Sequence, residues 1–145
     1  MRVRILLLGR AFVAGAAVAQ SDEERLFEAI GEGKELVAEG IVVSGKVDPN
    51  ARNALGETPL HRAAEKGMKE LSVALVKAGT SLRARSNSGE TVLHLAALHA
   101  DPALAELLLA RGADPKTRND DGESPLHWAA LSGNPAVVAL LLGKG

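Results

Sequence analysis

The chain has 145 residues, of which 46% are hydrophobic and 24% are charged, a composition typical of one globular domain and not of a disordered segment. Aromatic residues make up only 2%, which argues against the ring platforms that bind single-stranded nucleic acids. Cysteine is absent, so disulfides, thiolate metal sites and cysteine nucleophiles are excluded. The formal net charge of −1 offers no basic field that would attract a nucleic acid.

Residues 1–19 have a basic start, an apolar stretch, and the small residues Ala17 and Ala19 before Gln20. This pattern predicts a secretory signal peptide that is cleaved between Ala19 and Gln20, and therefore a periplasmic or secreted protein. Arg10 interrupts the apolar stretch, which is also shorter than the ~20 residues of a membrane span, so we expect no stable membrane insertion. An Arg-rich organellar transit peptide, an uncleaved anchor and a wrongly assigned start codon are the alternatives.

Three segments of the remaining sequence repeat in register every 33 residues. Residues 58–61, 91–94 and 124–127 read TPLH, TVLH and SPLH, each preceded by Gly-Glu and followed, after one residue, by Ala-Ala. A 33-residue period with this core resembles the ankyrin repeat. The resemblance implies an all-α repeat solenoid of stacked helix-turn-helix units with hairpin-like connecting loops.

The residues of each repeat also predict two helices on physical grounds. Thr58 or Ser124 supplies an N-cap oxygen, and the proline after it occupies the first helical position. The Ala pairs give the first helix a thin face, while the second helix is rich in Leu and Val and is ended by Gly79 or Gly112. Because no single unit can bury its apolar face, we expect the stacking of units to stabilise the array.

The period divides the chain into a signal peptide and four units. These are residues 20–50, a degenerate N-terminal capping repeat, then repeats at 51–83, 84–116 and 117–145, the last C-terminally incomplete. Residues 21–45 hold seven acidic and two basic side chains, which we interpret as the solvation of one end of the array. No polar capping repeat follows the last repeat, so we expect part of its Leu-rich face to be exposed, and self-association through that face is a prediction.

The histidines at 61, 94 and 127 recur in register and are the first candidates for metal ligands. Stacked repeats would hold them roughly 10 Å apart, which is too far for one zinc ion, so we predict that each bonds back to the N-cap of its own helix. No catalytic triad, phosphate loop or HExxH motif is present, and Asp120 and Asp121 are interpreted as turn residues. We therefore expect no catalysis, no metal, no cofactor and no nucleic acid.

In the ankyrin family, the hairpin tips and the exposed side of the first helix form a concave binding face. By position, the resemblance places on this face the tip residues Ala54, Leu55, Asn87, Ser88, Asp120 and Asp121, and the first-helix residues Arg62, Glu65, Lys66, Leu95, Leu98, His99, Trp128, Leu131 and Ser132. Two charged rows also recur, an arginine row (Arg52, Arg85 and Arg118) and a glutamate row (Glu57, Glu90 and Glu123), which we expect to pair with each other. Trp128 is interpreted with equal weight as an interface anchor or as partial core packing.

The sequence thus predicts a non-catalytic protein–protein interaction module, an ankyrin adaptor that binds a partner protein on its concave face in an exported compartment. One alternative is a membrane-tethered scaffold that keeps its N-terminal segment. Another is an accessory or regulatory subunit of a neighbouring enzyme. The sequence does not identify the partner.

Overall fold

The computed structural model describes residues 19–99 and 101–144, and within these residues it contains eight helices and no strand. The helices are α1 (Asp22–Gly31), α2 (Glu35–Val43), α3 (Pro59–Lys66), α4 (Lys69–Lys77), α5 (Val92–Leu98), α6 (Pro102–Ala110), α7 (Pro125–Ser132) and α8 (Pro135–Lys144). The predicted signal peptide lies outside the described residues except for Ala19. Ala19 and Gln20, which flank the predicted cleavage site, are exposed and lie outside any helix.

The helix ends follow the local sequence signals. Thr58 has extended backbone (φ −84°, ψ 166°), and its hydroxyl accepts a hydrogen bond from the backbone N–H of His61 at the start of α3. Prolines occupy the first positions of α3 and α7, as predicted. Gly79 and Gly112, with φ of 97° and 94°, follow the ends of α4 and α6. The predicted N-caps and helix-ending glycines are therefore confirmed.

The helices stack in two rows. The first helices of the units, α1, α3, α5 and α7, contact one another in chain order, and the second helices, α2, α4, α6 and α8, form the adjoining row. Leu60, Leu71, Leu75 and Leu93 are at most 2% exposed between the rows. The first Ala of each pair, at 63, 96 and 129, is fully buried, which allows the first helices to approach closely. The predicted all-α solenoid is confirmed.

The acidic side chains of the N-terminal unit do more than solvate one end. The Glu23 carboxylate accepts a hydrogen bond from the backbone N–H of Asp48 at 2.9 Å. The Glu35 carboxylate accepts one from the backbone N–H of Leu71 at 3.1 Å, in the first turn of α4. Because the N-cap residue of α4 makes no side-chain cap bond, Glu35 satisfies a helix-start donor from the neighbouring unit. The interpretation of this cluster as solvation alone is corrected accordingly.

Apolar side chains are exposed at both ends of the array. In α2, Leu36 is 83% exposed and Val43 is 78% exposed, so the N-terminal unit presents apolar as well as acidic side chains to solvent. In the last two helices, Leu131 is 75% and Leu142 is 61% exposed. Self-association through that face stays a prediction. Within the part of the chain that the structure describes, no helix combines the length and the apolar character that crossing a membrane would take.

Candidate protein-binding surface

The segments between the helix pairs fold as hairpin-like turns, as predicted. In the first turn, the backbone N–H of Asn53 donates to the carbonyl of Glu57 at 3.0 Å, and the N–H of Gly56 donates back to the carbonyl of Asn53 at 3.0 Å. The turns at 86–90 and 119–123 repeat this pattern. Gly56 has a φ of 74°, and a Cβ on it would lie 2.9 Å from the backbone N of Asn87 in the next turn. Glycine is therefore required by the close approach of neighbouring turns as well as by the backbone conformation.

The predicted tip residues join into one continuous edge. The backbone N–H of Asn87 donates to the carbonyl of Leu55 at 2.9 Å, and the N–H of Asp120 donates to the carbonyl of Ser88 at 3.0 Å. The Asn87 side-chain amide adds a bond to the carbonyl of Ala54 at 3.1 Å. Because these contacts use mainly backbone atoms, tip side chains such as Leu55, which is 60% exposed, remain open to a partner.

The predicted pairing of the arginine row with the glutamate row is wrong. Arg52 donates instead to the carbonyl oxygens of Gly56, at 2.9 Å, and Arg85, at 2.6 Å, while Arg85 donates to that of Arg118 at 2.7 Å. Arg52 and Arg85 thus reach the backbone of the following repeat, whereas Arg118 donates to the carbonyl of Gly122 within its own turn. Two of the three arginines are therefore part of the stacking contacts between repeats.

The register histidines bond back to their own helix starts, which confirms that prediction. The ring Nδ1 of His61, His94 and His127 accepts a hydrogen bond from the backbone N–H of Thr58, Thr91 and Ser124 at 3.2, 3.1 and 3.0 Å. Among the described residues, no group of three or more His, Asp and Glu side chains is placed to hold a metal ion.

The second ring nitrogen of two of these histidines makes a contact that the sequence analysis missed. The Nε2 of His61 lies 3.1 Å from the carbonyl oxygen of Glu90, and the Nε2 of His94 lies 3.0 Å from that of Glu123. Burial lowers the pKa of both histidines, and the neutral ring with its proton on Nε2 satisfies both nitrogens. His61 and His94 are thus cross-links between consecutive repeats.

The first-helix positions differ strongly from one repeat to the next. Arg62 forms an ion pair with Glu65 and approaches Glu57 to 3.9 Å, so its charge is already matched within the chain. Leu95, expected on the binding face, is only 8% exposed and belongs to the apolar core, which corrects its assignment as a partner contact. Leu98, one turn further along α5, is 39% exposed.

Trp128 is packed within the array. Its indole N–H donates to the Glu123 carboxylate at 3.0 Å, and its ring meets the His94 ring edge to face, with centroids 5.3 Å apart. Of the two interpretations of this residue, the structure therefore shows partial core packing. A charged substitution at Trp128 would disturb the repeat as well as a partner, so it is a poor probe of binding.

The other predicted contact residues divide into bonded and open side chains. Lys66 reaches back to the carbonyl of Gly31 at 3.4 Å, and Ser132 donates to the carbonyl of Ala129 at 2.8 Å. His99 and Leu131 are exposed, as are the tip residues Ala54, Ser88, Asp120 and Asp121. The open part of the surface consequently runs along the tips and past Leu98.

The three carboxylates of the glutamate row have different surroundings. The carboxylate of Glu57 accepts from the Asn53 amide at 2.9 Å, and that of Glu123 accepts from the Asn119 amide at 3.2 Å and from Trp128. Glu90 has only the Ser86 hydroxyl, at 3.3 Å, among the described side chains. Burial raises the pKa of Glu90, and the nearby carboxylates of Glu57, Asp121 and Glu65 add to the rise. By contrast, the bonds from Trp128 and Asn119 lower the pKa of Glu123.

Comparison with known families accounts for the repeated architecture. A family model of ankyrin repeats in three copies matches residues 26–119, and a model of ankyrin repeats in many copies matches residues 99–142. A search of the curated proteins gives no match. Ankyrin repeats indicate a protein–protein interaction module, and proteins built from them are generally non-catalytic. Because the matches extend from the N-terminal unit into α8, the chain belongs to the ankyrin-repeat family.

Proposed function

We propose that the chain is a non-catalytic adaptor that binds a partner protein on its concave face. This face consists of the tips at 54–55, 87–88 and 120–121 and the exposed side chains of α3, α5 and α7. The observation that carries the proposal is the continuous edge of the tips, where backbone bonds align Leu55, Asn87 and Asp120 while their side chains stay exposed. A surface that is ordered before binding loses little entropy when a partner docks.

We also propose that the module acts in an exported compartment. The support is the basic, apolar and small-residue pattern of residues 1–19, ending in Ala19 before Gln20. Sequencing the N-terminus of the protein isolated from its native cells should give Gln20 as the first residue. A chain that begins at Met1 in the soluble cell interior would contradict this part of the proposal.

The binding face can be tested by photo-crosslinking in the native compartment. A photoreactive amino acid is placed at Leu55 or Leu98, on the concave face, or at Leu36 in α2 as a control, since Leu36 is 83% exposed and lies in the row of second helices. We expect positions 55 and 98 to give the same crosslinked product, identified by mass spectrometry, and position 36 not to give it.

Substitutions at the same positions then check that the product reports specific binding. Leu55→Asp and Leu98→Asp should abolish the product without changing the thermal unfolding midpoint by more than about 2 °C, because surface substitutions change stability by about 0.5 kcal/mol or less. Leu36→Asp is the matched control. A product that forms only at position 36, or that survives both concave-face substitutions, would show that the partner binds elsewhere.

A further inference from the structure

The middle of the concave face contains a carboxylate that has lost the donors its counterparts have. In the first and third repeats, position 53 or 119 is an asparagine whose amide donates to the glutamate of that repeat. In the second repeat the equivalent residue is Ser86, whose hydroxyl lies 3.3 Å from Glu90. A second donor is also missing. Arg62 and Trp128 approach the glutamates of the first and third repeats, and the residue at their position in the second repeat is Leu95, which has no polar group on its side chain.

The surroundings of Glu90 offer no replacement within the described residues. Arg62, which stands at the position of Leu95 in the preceding repeat, is positively charged but is already paired with Glu57 and Glu65. The carboxylates of Glu57, Asp121 and Glu65 add to the rise in the pKa of Glu90 that burial causes. The arginine at 85 is engaged with the backbone carbonyl of Arg118. The electrostatic potential around the Glu90 carboxylate is therefore negative, and this carboxylate is partly shielded from water.

An apolar platform adjoins this carboxylate. Leu98 lies three residues after Leu95 on α5, and residues with this spacing share one face of a helix. In the preceding repeat Arg62 contacts both Glu57 and Glu65, the counterparts of Glu90 and Leu98, so these two positions lie within reach of one side chain. Leu98 is 39% exposed, so an aliphatic chain can lie against it. The combination of a carboxylate with a neighbouring aliphatic side chain is complementary to a lysine or an arginine, whose stem is apolar and whose head is charged.

We propose that the partner inserts a basic side chain at the second repeat, with its cationic head on the Glu90 carboxylate and its stem along Leu98, so that the chain selects basic protein segments. This inference rests on the proposed binding to the concave face. It specifies the chemistry of the partner segment that contacts the centre of that face. Glu90 supplies the hydrogen-bond acceptor, and the partner supplies the donor that Arg62 and Trp128 provide to the neighbouring glutamates. A charge-assisted bond of this kind favours segments with Lys or Arg over those without.

A displayed library of random 12-residue peptides tests this proposal with the full chain as bait. We expect the selected peptides to be enriched in Lys and Arg and to lose binding to the Leu55→Lys and Leu98→Lys variants, which remove the apolar contact and repel a cation. For one selected synthetic peptide, Glu90→Gln should raise the Kd about 10-fold or more, the effect typical of losing a hydrogen bond to a charged group. Glu123→Gln is the matched control, because Glu123 is already bonded to Trp128 and a glutamine oxygen can keep that bond, so its Kd should stay close to that of the unsubstituted chain.

The outcomes separate this proposal from the proposed function. Peptides that bind the concave face but carry no excess of basic residues, or that are indifferent to Glu90→Gln, would overturn the role of Glu90 and leave the binding face standing. Peptides that bind the Leu55→Lys and Leu98→Lys variants unchanged, or a library that yields no binder, would count against both. Glu90→Gln keeps the backbone carbonyl that His61 contacts, so a circular dichroism melt should show an array at least as stable as the original.

Discussion

Replacing His61 by asparagine should separate its two structural roles, because the Asn side chain can place a polar atom near Nδ1 but cannot reach the position of Nε2. The variant keeps the bond to the Thr58 N–H and loses the bond from Nε2 to the Glu90 carbonyl, which is 3.1 Å long. His61→Gln does the reverse, since its longer side chain can reach the carbonyl of the next repeat. His127→Asn is the matched control, because the exposed His127 has the helix-start bond but, among the described residues, no partner on Nε2.

The size of the effect follows from the bonds that change. A net hydrogen bond contributes about 1 kcal/mol, and a shielded carbonyl left without a donor costs about 1 kcal/mol more at the lower end of the usual range. His61→Asn should therefore lower the free energy of unfolding by about 2 kcal/mol. His61→Gln loses a helix-start bond and should lower it by about 1 kcal/mol, the usual cost of a lost cap. His127→Asn should change it by less than about 0.5 kcal/mol.

Urea unfolding of the full chain, followed by far-ultraviolet circular dichroism, measures these differences. The comparison between His61→Asn and His127→Asn decides the result, because both variants make the same chemical change at equivalent helix positions. If the two variants lose the same stability, the bond between repeats contributes nothing and the reasoning is refuted. If His61→Gln is less stable than His61→Asn, the helix-start bond outweighs the bond between repeats, which would also refute it.

Two further predictions concern pH and the turns. Burial lowers the pKa of His61 and His94 in the folded state, so the stability from their neutral rings should be complete above pH 6.5, the unfolded value, and decrease as the pH falls through their folded pKa values. Urea midpoints between pH 5 and pH 7.5 measure this loss, and a rise in stability on acidification over that range would contradict it. Gly56→Ala should lower the free energy of unfolding more than Gly122→Ala, since both glycines have positive φ but only a Cβ at 56 would meet the next turn. Thermal melts of both variants check this order, and equal losses would show that backbone conformation alone accounts for the cost.

The helices and their ends were predictable because the rules behind them are local. An N-cap such as Thr58, the proline after it and a terminating glycine such as Gly79 act within one turn of the helix, so the sequence of a single repeat specifies them. The bond from His61 back to its helix start is local for the same reason. The candidate surface at the tips also followed from position in the repeat, since the turns come at a fixed distance from the helices.

The contacts that the sequence analysis missed join residues in different units. The Arg52 bond to the carbonyl of Arg85 spans 33 residues, the His61 bond to Glu90 spans 29, and the Glu35 bond to Leu71 spans 36. The 33-residue period indicates that the units stack. It does not indicate which side chains bond to each other when two rows, such as the arginines and the glutamates, recur with the same period. The acceptors in these bonds are mostly backbone carbonyls. Because every residue has a backbone carbonyl, the amino-acid types do not indicate which carbonyl accepts a given bond.

Some atoms of the candidate surface hold neighbouring repeats together, and others are available to a partner. This division explains how the surface can be ordered while its side chains differ from one repeat to the next. Glu90 illustrates it, because its backbone carbonyl contacts His61 of the preceding repeat while its half-buried carboxylate accepts from the Ser86 hydroxyl. The residues that stack, such as His94 and Gly89, recur with the period, whereas Leu98 differs from its counterparts Glu65 and Leu131 in either chemistry or exposure. Substitution of an exposed apolar side chain such as Leu55 or Leu98 therefore leaves the bonds between repeats intact. It follows that the chemistry of the partner should be encoded at positions where the three repeats differ, such as Ser86, which stands where the other repeats have asparagine and leaves the Glu90 carboxylate with a hydroxyl as its donor.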